Sequence, residues 1–325
     1  MLDVLTIKAI ETDFYGAIMI NIESIIVVIE PDQLQQPALQ RGIELALKTN
    51  AKLMIMLSVY HAGYDLTTML SSAEREEFRA EYISDRYNWM EEILETYKLP
   101  EGTLTAVHWH SKVYDSVVQT AHEENADIII KSTKHDPVVT SPVFTPLDWN
   151  LIRKSPIPVL MVSTHTTSAY TNIVTAVNTG DENRVHSHLN EKLTGCAGDF
   201  ARLFNSDVHL VNAYPPSPIP MSLSSPSFSY SNLDRAIKNH HNQALDMFGE
   251  RHRIKIANRY VKEGLPEDVI AKIIKTTDAQ LLVIGSVGRI GKTSETIGNT
   301  AEFVLNNIEC DVLTIKPDGF IPPLH

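Results

Sequence analysis

The feature that most constrains this chain is that one unit is written twice. Ser24-Ile-Ile-Val-Val-Ile-Glu-Pro31 answers to Asn172-Ile-Val-Thr-Ala-Val-Asn-Thr179. Each is a short β-branched run ending in a polar turn, as a buried parallel strand should be. Helical patterns follow over Gln36 to Thr49 and Arg184 to Phe204, then strands over Lys52 to Tyr60 and Asp207 to Tyr214. Long amphipathic helices come next, over about Glu74 to Tyr97 and Leu233 to Arg251. From there the copies keep a fixed register of 153 residues, so that Val107-His-Trp-His110 faces Tyr260-Val-Lys-Glu263 and Ala126-Asp-Ile-Ile-Ile130 faces Ala279-Gln-Leu-Leu-Val283. Each copy reads β-α-β-α-β-α-β-α-β. Strands alternating with helices predict an α/β fold, with a parallel five-stranded sheet covered on both faces through right-handed crossovers. Ligands of such sheets bind beyond the carboxyl ends of the strands, where the strand order reverses.

The domain reading follows from the repeat. Residues 1–19 are an N-terminal extension, 20–164 the first domain, 171–317 the second and 318–325 a tail, with the polar stretch around 163–171 between the domains. The extension mixes Asp3, Lys8, Glu11 and Asp13 among apolar residues and so lacks the continuous apolar centre of a signal peptide. Met19 is expected to be the natural start, with residues 1–18 read from an earlier start codon.

The second copy carries a stretch the first has lost. After the apolar run Gln280-Leu-Leu-Val-Ile284 comes GSVGRIGKTSETIGNT, in which Gly285, Gly288 and Gly298 give the spacing G-x2-G-x9-G. Strand, glycine-rich loop and helix start make a phosphate cradle, because glycine lets the backbone approach an anion and the helix terminus favours negative charge. In the first copy the three glycines become Ser132, His135 and Thr145, and Asn299 becomes Pro146, which has no N–H to offer. All three tryptophans, Trp89, Trp109 and Trp149, lie in that first copy. It is therefore expected not to bind in this way. Gly291-Lys292-Thr293 invites a P-loop reading, but G-x4-G-K-[ST] demands glycine at 286, which is Ser286.

The five-strand unit, the Gly264-Leu-Pro266 turn before a helix and the G-x2-G-x9-G stretch together resemble the universal stress protein family. The resemblance runs over both copies, from about residue 20 to 317. The strings Ile-Glu-Pro-Asp, Thr145-Pro-Leu-Asp-Trp149 and Gly298-Asn-Thr-Ala-Glu302 look most like its tandem members. It implies two fused flavodoxin-like (adenine nucleotide alpha hydrolase-like) domains of strand order 3-2-1-4-5, forming an internal pseudo-dimer through their fifth strands. It also implies a cytoplasmic stress-response binding module, not an enzyme, that holds an adenine nucleotide: ATP, with Mg2+ if the triphosphate is bound. Any hydrolysis would be slow and incidental. Carried over residue by residue, the phosphate positions are Gly285, Ser286, Gly288, Arg289, Gly298, Asn299 and Thr300, and the end of the first strand is Asn178. Two positions depart from the family pattern: Asn299 stands for a hydroxyl residue and Asn178 for an aspartate. Protein partners are left unidentified, and a homodimer is left open. The rival readings are a carrier or sensor of an apolar, lipid-like ligand, held between the copies near the tryptophans and the segment Pro215 to Asn232, or a pure interaction scaffold.

Composition narrows the classes further. A net charge of -12 argues against a general nucleic-acid binder, which needs a basic surface. The two cysteines, Cys196 and Cys310, cannot form a disulfide framework and read as small core residues. No apolar run approaches the roughly 20 residues of a membrane span. Among the histidines, His108 and His110 share one strand face, while His186 with His188 and His240 with His241 diverge on helices, and no metal is expected. Asp115 and Asp268 fall at equivalent helix starts, where a carboxylate serves the helix dipole.

Overall fold

The computed structural model describes residues 21–61, 63–64, 69–133, 144–163, 169–181, 184–216, 230–286, 301, 304–305 and 308–320. The first half runs β1 (Ser24–Val28), α1 (Pro37–Thr49), β2 (Lys52–Val59), α2 (Ser72–Leu94), β3 (Leu104–Trp109), α3 (Val113–Glu123), β4 (Ile128–Ser132), α4 (Pro146–Lys154) and β5 (Val159–Val162). The second runs β6 (Asn172–Ala176), α5 (Arg184–Phe204), β7 (Asp207–Tyr214), α6 (Tyr230–Arg251), β8 (Arg259–Glu263), α7 (Pro266–Thr277), β9 (Leu281–Gly285) and β10 (Asp311–Ile315). The N-terminal extension lies outside the described residues.

The strands form one sheet in the order β3-β2-β1-β4-β5-β10-β9-β6-β7-β8. Counted within each half, this is 3-2-1-4-5. Neighbours are parallel everywhere except at the seam, where β5 and β10 pair antiparallel through Met161 with Val312, Leu160 with Leu313 and Val159 with Thr314. The expectation of two five-stranded sheets is thereby sharpened to one continuous ten-stranded sheet. Each fifth strand would otherwise leave an unpaired edge, and pairing the two removes both.

The strand sequences are apolar at successive positions because both faces are covered. Ile25 and Val27 of β1 enter the core beneath α1, α2, α5 and α6. Ile26 and Val28 enter the opposite core, beneath α3, α4 and α7. Cys196 and Cys310 are buried free thiols, and burial pushes both upward from the usual thiol range. Asp115 and Asp268 sit in the first turns of α3 and α7. Among the described residues, no helix is long and apolar enough to cross a membrane.

A buried polar knot joins the halves beside the seam. Tyr170 donates its hydroxyl to Asp311 Oδ2 at 2.6 Å, and the Ser163 amide donates to Asp311 Oδ1 at 2.9 Å. From α1 of the first half, the Arg41 Nε stands 3.4 Å from the same carboxylate, and its guanidinium lies 4.2 Å from the centre of the Tyr170 ring.

Candidate functional site

Strand order reverses in the second half between β6 and β9, and the chain leaves the two strands in opposite directions there. Beyond their carboxyl ends lies a cavity of about 370 Å³. Its floor is apolar, made by Val177, Ile270, Ile284 and Ala301, with Leu189 and Leu193 of α5 as one wall. Gly285 keeps this space open: a Cβ there would stand 2.6 Å from Leu189 Cδ2. At the far side, Gly264 at φ +146° turns the chain from β8 towards α7, whose first residue, Pro266, reaches the cavity.

The polar groups sit around the mouth. Asn178 is exposed there, and its backbone is fixed by Asn190 of α5, which accepts from the Asn178 amide at 3.0 Å and donates to the Asn178 carbonyl at 2.9 Å. His186 also lines the cavity, its Nδ1 held 2.6 Å from Asp181 Oδ2. His241 lines it from α6; its ring is stacked on Tyr214 at 4.8 Å and its Nδ1 accepts from the Asn212 side-chain amide at 2.9 Å. Burial, and then the neighbouring His240, lower its proton affinity, so the neutral ring is favoured. These histidines were read from the sequence only as diverging helix residues. What brings His186 and His241 to one cavity is the packing of α5 and α6 over the same strand ends, which helical periodicity does not show. Among the described residues no group of three or more His, Cys, Asp or Glu is placed to hold a metal ion.

Of the expected site residues, Asn178 and Gly285 line the cavity. Gly288, Arg289, Gly298, Asn299 and Thr300 lie outside the described residues, as does His135 of the first half. Ser286 departs from its expected role. Its amide donates to the Ile315 carbonyl at 3.0 Å and its hydroxyl to the Ile152 carbonyl at 2.7 Å, while its own carbonyl and hydroxyl accept from Lys316 Nζ. With every polar group engaged inside the protein and 1% of its surface exposed, Ser286 anchors the glycine-rich stretch and has no donor left for a phosphate.

The equivalent place in the first half is filled. Asn178, Ile284 and Ala301 correspond to Glu30, Lys131 and Asp148. The Lys131 ammonium is ion-paired with Glu30 and lies 2.7 Å from Asp148 Oδ1, all three side chains being buried. Burial alone would lower the proton affinity of Lys131, but Asp148 and Glu30 outweigh it, and the net shift is upward. Gln36 holds the Glu30 backbone as Asn190 holds that of Asn178, donating to the Glu30 carbonyl at 2.7 Å and accepting from its amide at 2.9 Å. Asp148 also closes a capping box with Thr145 at the start of α4. Sequence comparison showed the lost glycines of this half; it missed the three charges that replace the cavity. Their signal was a lysine at a strand position whose repeat partner is isoleucine.

The apolar-carrier reading also drew on the segment Pro215 to Asn232, most of which lies outside the described residues; two of the tryptophans are seen among other aromatic rings. Trp109 is surrounded by Tyr60, Tyr64 and Tyr82, with ring centres 5.1–5.6 Å away, and Trp149 packs on Phe144. The described residues that line the open cavity all belong to the second half.

Two doubly wound units, fused through their fifth strands, with one crevice open and its twin filled by charge, define a tandem α/β protein. The universal stress protein family profile matches residues 21–163 and 170–316, and the chain belongs to that family. It is 35% identical over 312 residues to universal stress protein E of Photorhabdus laumondii, covering 94% of this chain and 98% of that protein. It is 34% identical over 306 residues to universal stress protein E of Escherichia coli K12, covering 93% and 96%. Among solved structures, a protein of unknown function from Pseudomonas aeruginosa PAO1 superposes with a TM-score of 0.71 at 27% identity, over 92% of this chain and 94% of the other.

Proposed function

We propose that this tandem universal stress protein is a stress-response binding module whose second half takes an adenine nucleotide, while the first half serves as a filled partner. The observation that carries the reading is the contrast at equivalent strand ends: Glu30, Lys131 and Asp148 occupy one crevice, whereas Asn178, Ile284 and Ala301 leave the other open. An apolar floor of this size accepts a planar base with its sugar; about 370 Å³ is at the small end of the roughly 300–1,000 Å³ usual for ligand sites. The Asn178 side chain offers both a donor and an acceptor at the mouth. The phosphates of ATP would then fall to the G-x2-G-x9-G stretch that leaves Gly285. Mg2+ would come with the triphosphate, if that is the form bound. Binding, not turnover, is the output in this reading.

The test is stabilisation by ligand. A ligand that binds only the folded state raises stability by RT ln(1 + [L]/Kd), about 2.7 kcal/mol at a hundredfold excess over Kd. Millimolar ATP should raise the melting temperature of the wild type. Gly285→Val, which drives a side chain into Leu189 and the cavity, should abolish the shift while leaving the sheet intact by circular dichroism. No shift in the wild type, with no nucleotide retained through purification, would sink the reading.

A further inference from the structure

Lys316, the residue after β10, is buried at 6% exposure and among the described residues pairs with no carboxylate. Its ammonium makes three hydrogen bonds: to the Ser286 carbonyl at 2.7 Å, the Ser286 hydroxyl at 2.6 Å and the Arg153 carbonyl at 2.7 Å. Arg153 is in the last turn of α4, in the other half. The last carbonyls of a helix have no partner within it and carry its negative end. Here the Arg153 and Ile152 carbonyls find theirs in Lys316 and Ser286 of the second half. Ser286 in turn is the residue next to Gly285, which lines the cavity. The repeat does not supply the same device in the opposite direction, since the residue 153 positions before Lys316 is Ser163. At its other end the first turn of α4 carries Asp148, the partner of Lys131 in the filled crevice. A single nine-residue helix, about 13 Å long, is therefore anchored by one buried lysine at each end.

We propose that Lys316 is a positioning residue that couples the two halves, fixing Ser286, the anchor beside the open cavity, to the end of α4, so that occupancy of the second half is felt in the first. The choice of ligand for its test rests on the nucleotide reading; the clamp does not. Charged groups around it leave the ammonium to these acceptors. The Arg153 guanidinium lies over the Trp149 ring, 5.5 Å from its centre, and Lys192 takes the Lys316 carbonyl and the Asp318 carboxylate. The Phe320 ring stands 4.6 Å from the ammonium. Burial without a counter-charge lowers the pKa of Lys316 to about 7, so the clamp loses a proton within a range reached in solution.

Trp149 reports directly, because it belongs to α4 and stacks with the arginine whose carbonyl Lys316 holds. In the full chain carrying Trp89→Phe and Trp109→Phe, Trp149 is the one indole left. ATP with Mg2+ is titrated while heat and Trp149 emission are both followed. The expected result is binding heat with a parallel emission change in this background, and binding heat with the emission change at least halved after Lys316→Met. Ser286→Ala, which deletes one hydroxyl of the clamp, carries the same expectation if Lys316→Met does not fold. Binding without an emission change, or an undiminished change in the variants, overturns the coupling. If no nucleotide binds to any form, the nucleotide reading has failed and the coupling is read from acid and base instead. Trp149 emission should then titrate with a midpoint near 7, and that step should vanish in Lys316→Met. Its absence from the parent overturns the proposal, and so does its persistence in the variant.

Discussion

Two lysines at the ends of one helix illustrate opposite uses of a buried cation. Lys131 has two carboxylates against it, and losing one partner of a buried ion pair leaves an uncompensated charge that costs about 3–5 kcal/mol. Lys131→Met should therefore lower the unfolding free energy in urea by that amount. Replacing the whole group with its repeat counterparts, Glu30→Asn, Lys131→Ile and Asp148→Ala, removes all three charges together and should recover most of the loss, since apolar replacements for buried ion groups are often neutral. A triple variant as unstable as the single one would contradict this. Among the described residues Lys316 has no counter-charge, and its effect on stability has a definite sign. Its folded pKa of about 7 lies below the unfolded value near 10.4, so between these limits the unfolded chain binds more protons. Its contribution therefore makes stability rise with pH from 7 towards 10, by at most about 1.4 kcal/mol per pH unit. Lys131 is shifted upward and contributes stability that is complete below 10.4 and lost only above it, so it adds no slope near neutrality. Urea unfolding at pH 6, 7.5 and 9 should show the wild type gaining on Lys316→Met as pH rises.

At the level of elements, α4 is short but fixed at both termini. Its N-cap Thr145 accepts from the Asp148 amide at 3.3 Å, and Asp148 Oδ2 accepts from the Thr145 amide at 2.6 Å. The same carboxylate serves Lys131, so the cap and the filled crevice share a residue. Thr145→Ala should cost about 1–2 kcal/mol, the upper part of the range for an N-cap, because it frees the helix start and loosens Asp148 together. Ser71 caps α2 with the same box, but around exposed groups, and Ser71→Ala should cost less, about 0.5–1 kcal/mol. Equal costs in urea unfolding would mean that Asp148 holds its place without the cap. In the repeat, Gly298-Asn299 stand at the positions of Thr145-Pro146, so that a helix cap in the first half corresponds in sequence to part of the glycine-rich stretch.

For the whole molecule, a continuous ten-stranded sheet implies that the halves unfold together. Every tryptophan is in the first half, so indole emission follows that half alone while far-ultraviolet dichroism follows both. The two urea transitions should coincide, the usual sign of a single cooperative unit. Asp311 is the group to break. It is fully buried, accepts from Tyr170 and Ser163, and faces Arg41 from the opposite half. Asp311→Ala should cost about 1–3 kcal/mol, because it leaves the buried Tyr170 hydroxyl without its acceptor, while Arg41 keeps its ion pair with Glu44 at 2.6 Å. It should also separate the two transitions; coincident curves in that variant would place the cohesion of the halves in the β5–β10 seam instead.

The sequence by itself determined the architecture. Apolar runs such as Ile25 to Val28 and Leu281 to Ile284 are local, and a 153-residue register states twice which strand follows which helix; the strand order and the seam were implied by the family resemblance that this repeat carries. It also marked which half had lost its glycines. Only the tertiary structure decided what stands in their place. Glu30, Lys131 and Asp148 are scattered along the chain, and although the repeat marks Lys131 as odd for a strand, only the folded chain brings the three together. The same holds for Lys316, Ser286 and Arg153, which belong to different halves. Hydrophobic period is read between near neighbours in sequence, whereas the pairing of a buried charge depends on distance in space, and no spacing along the chain records it.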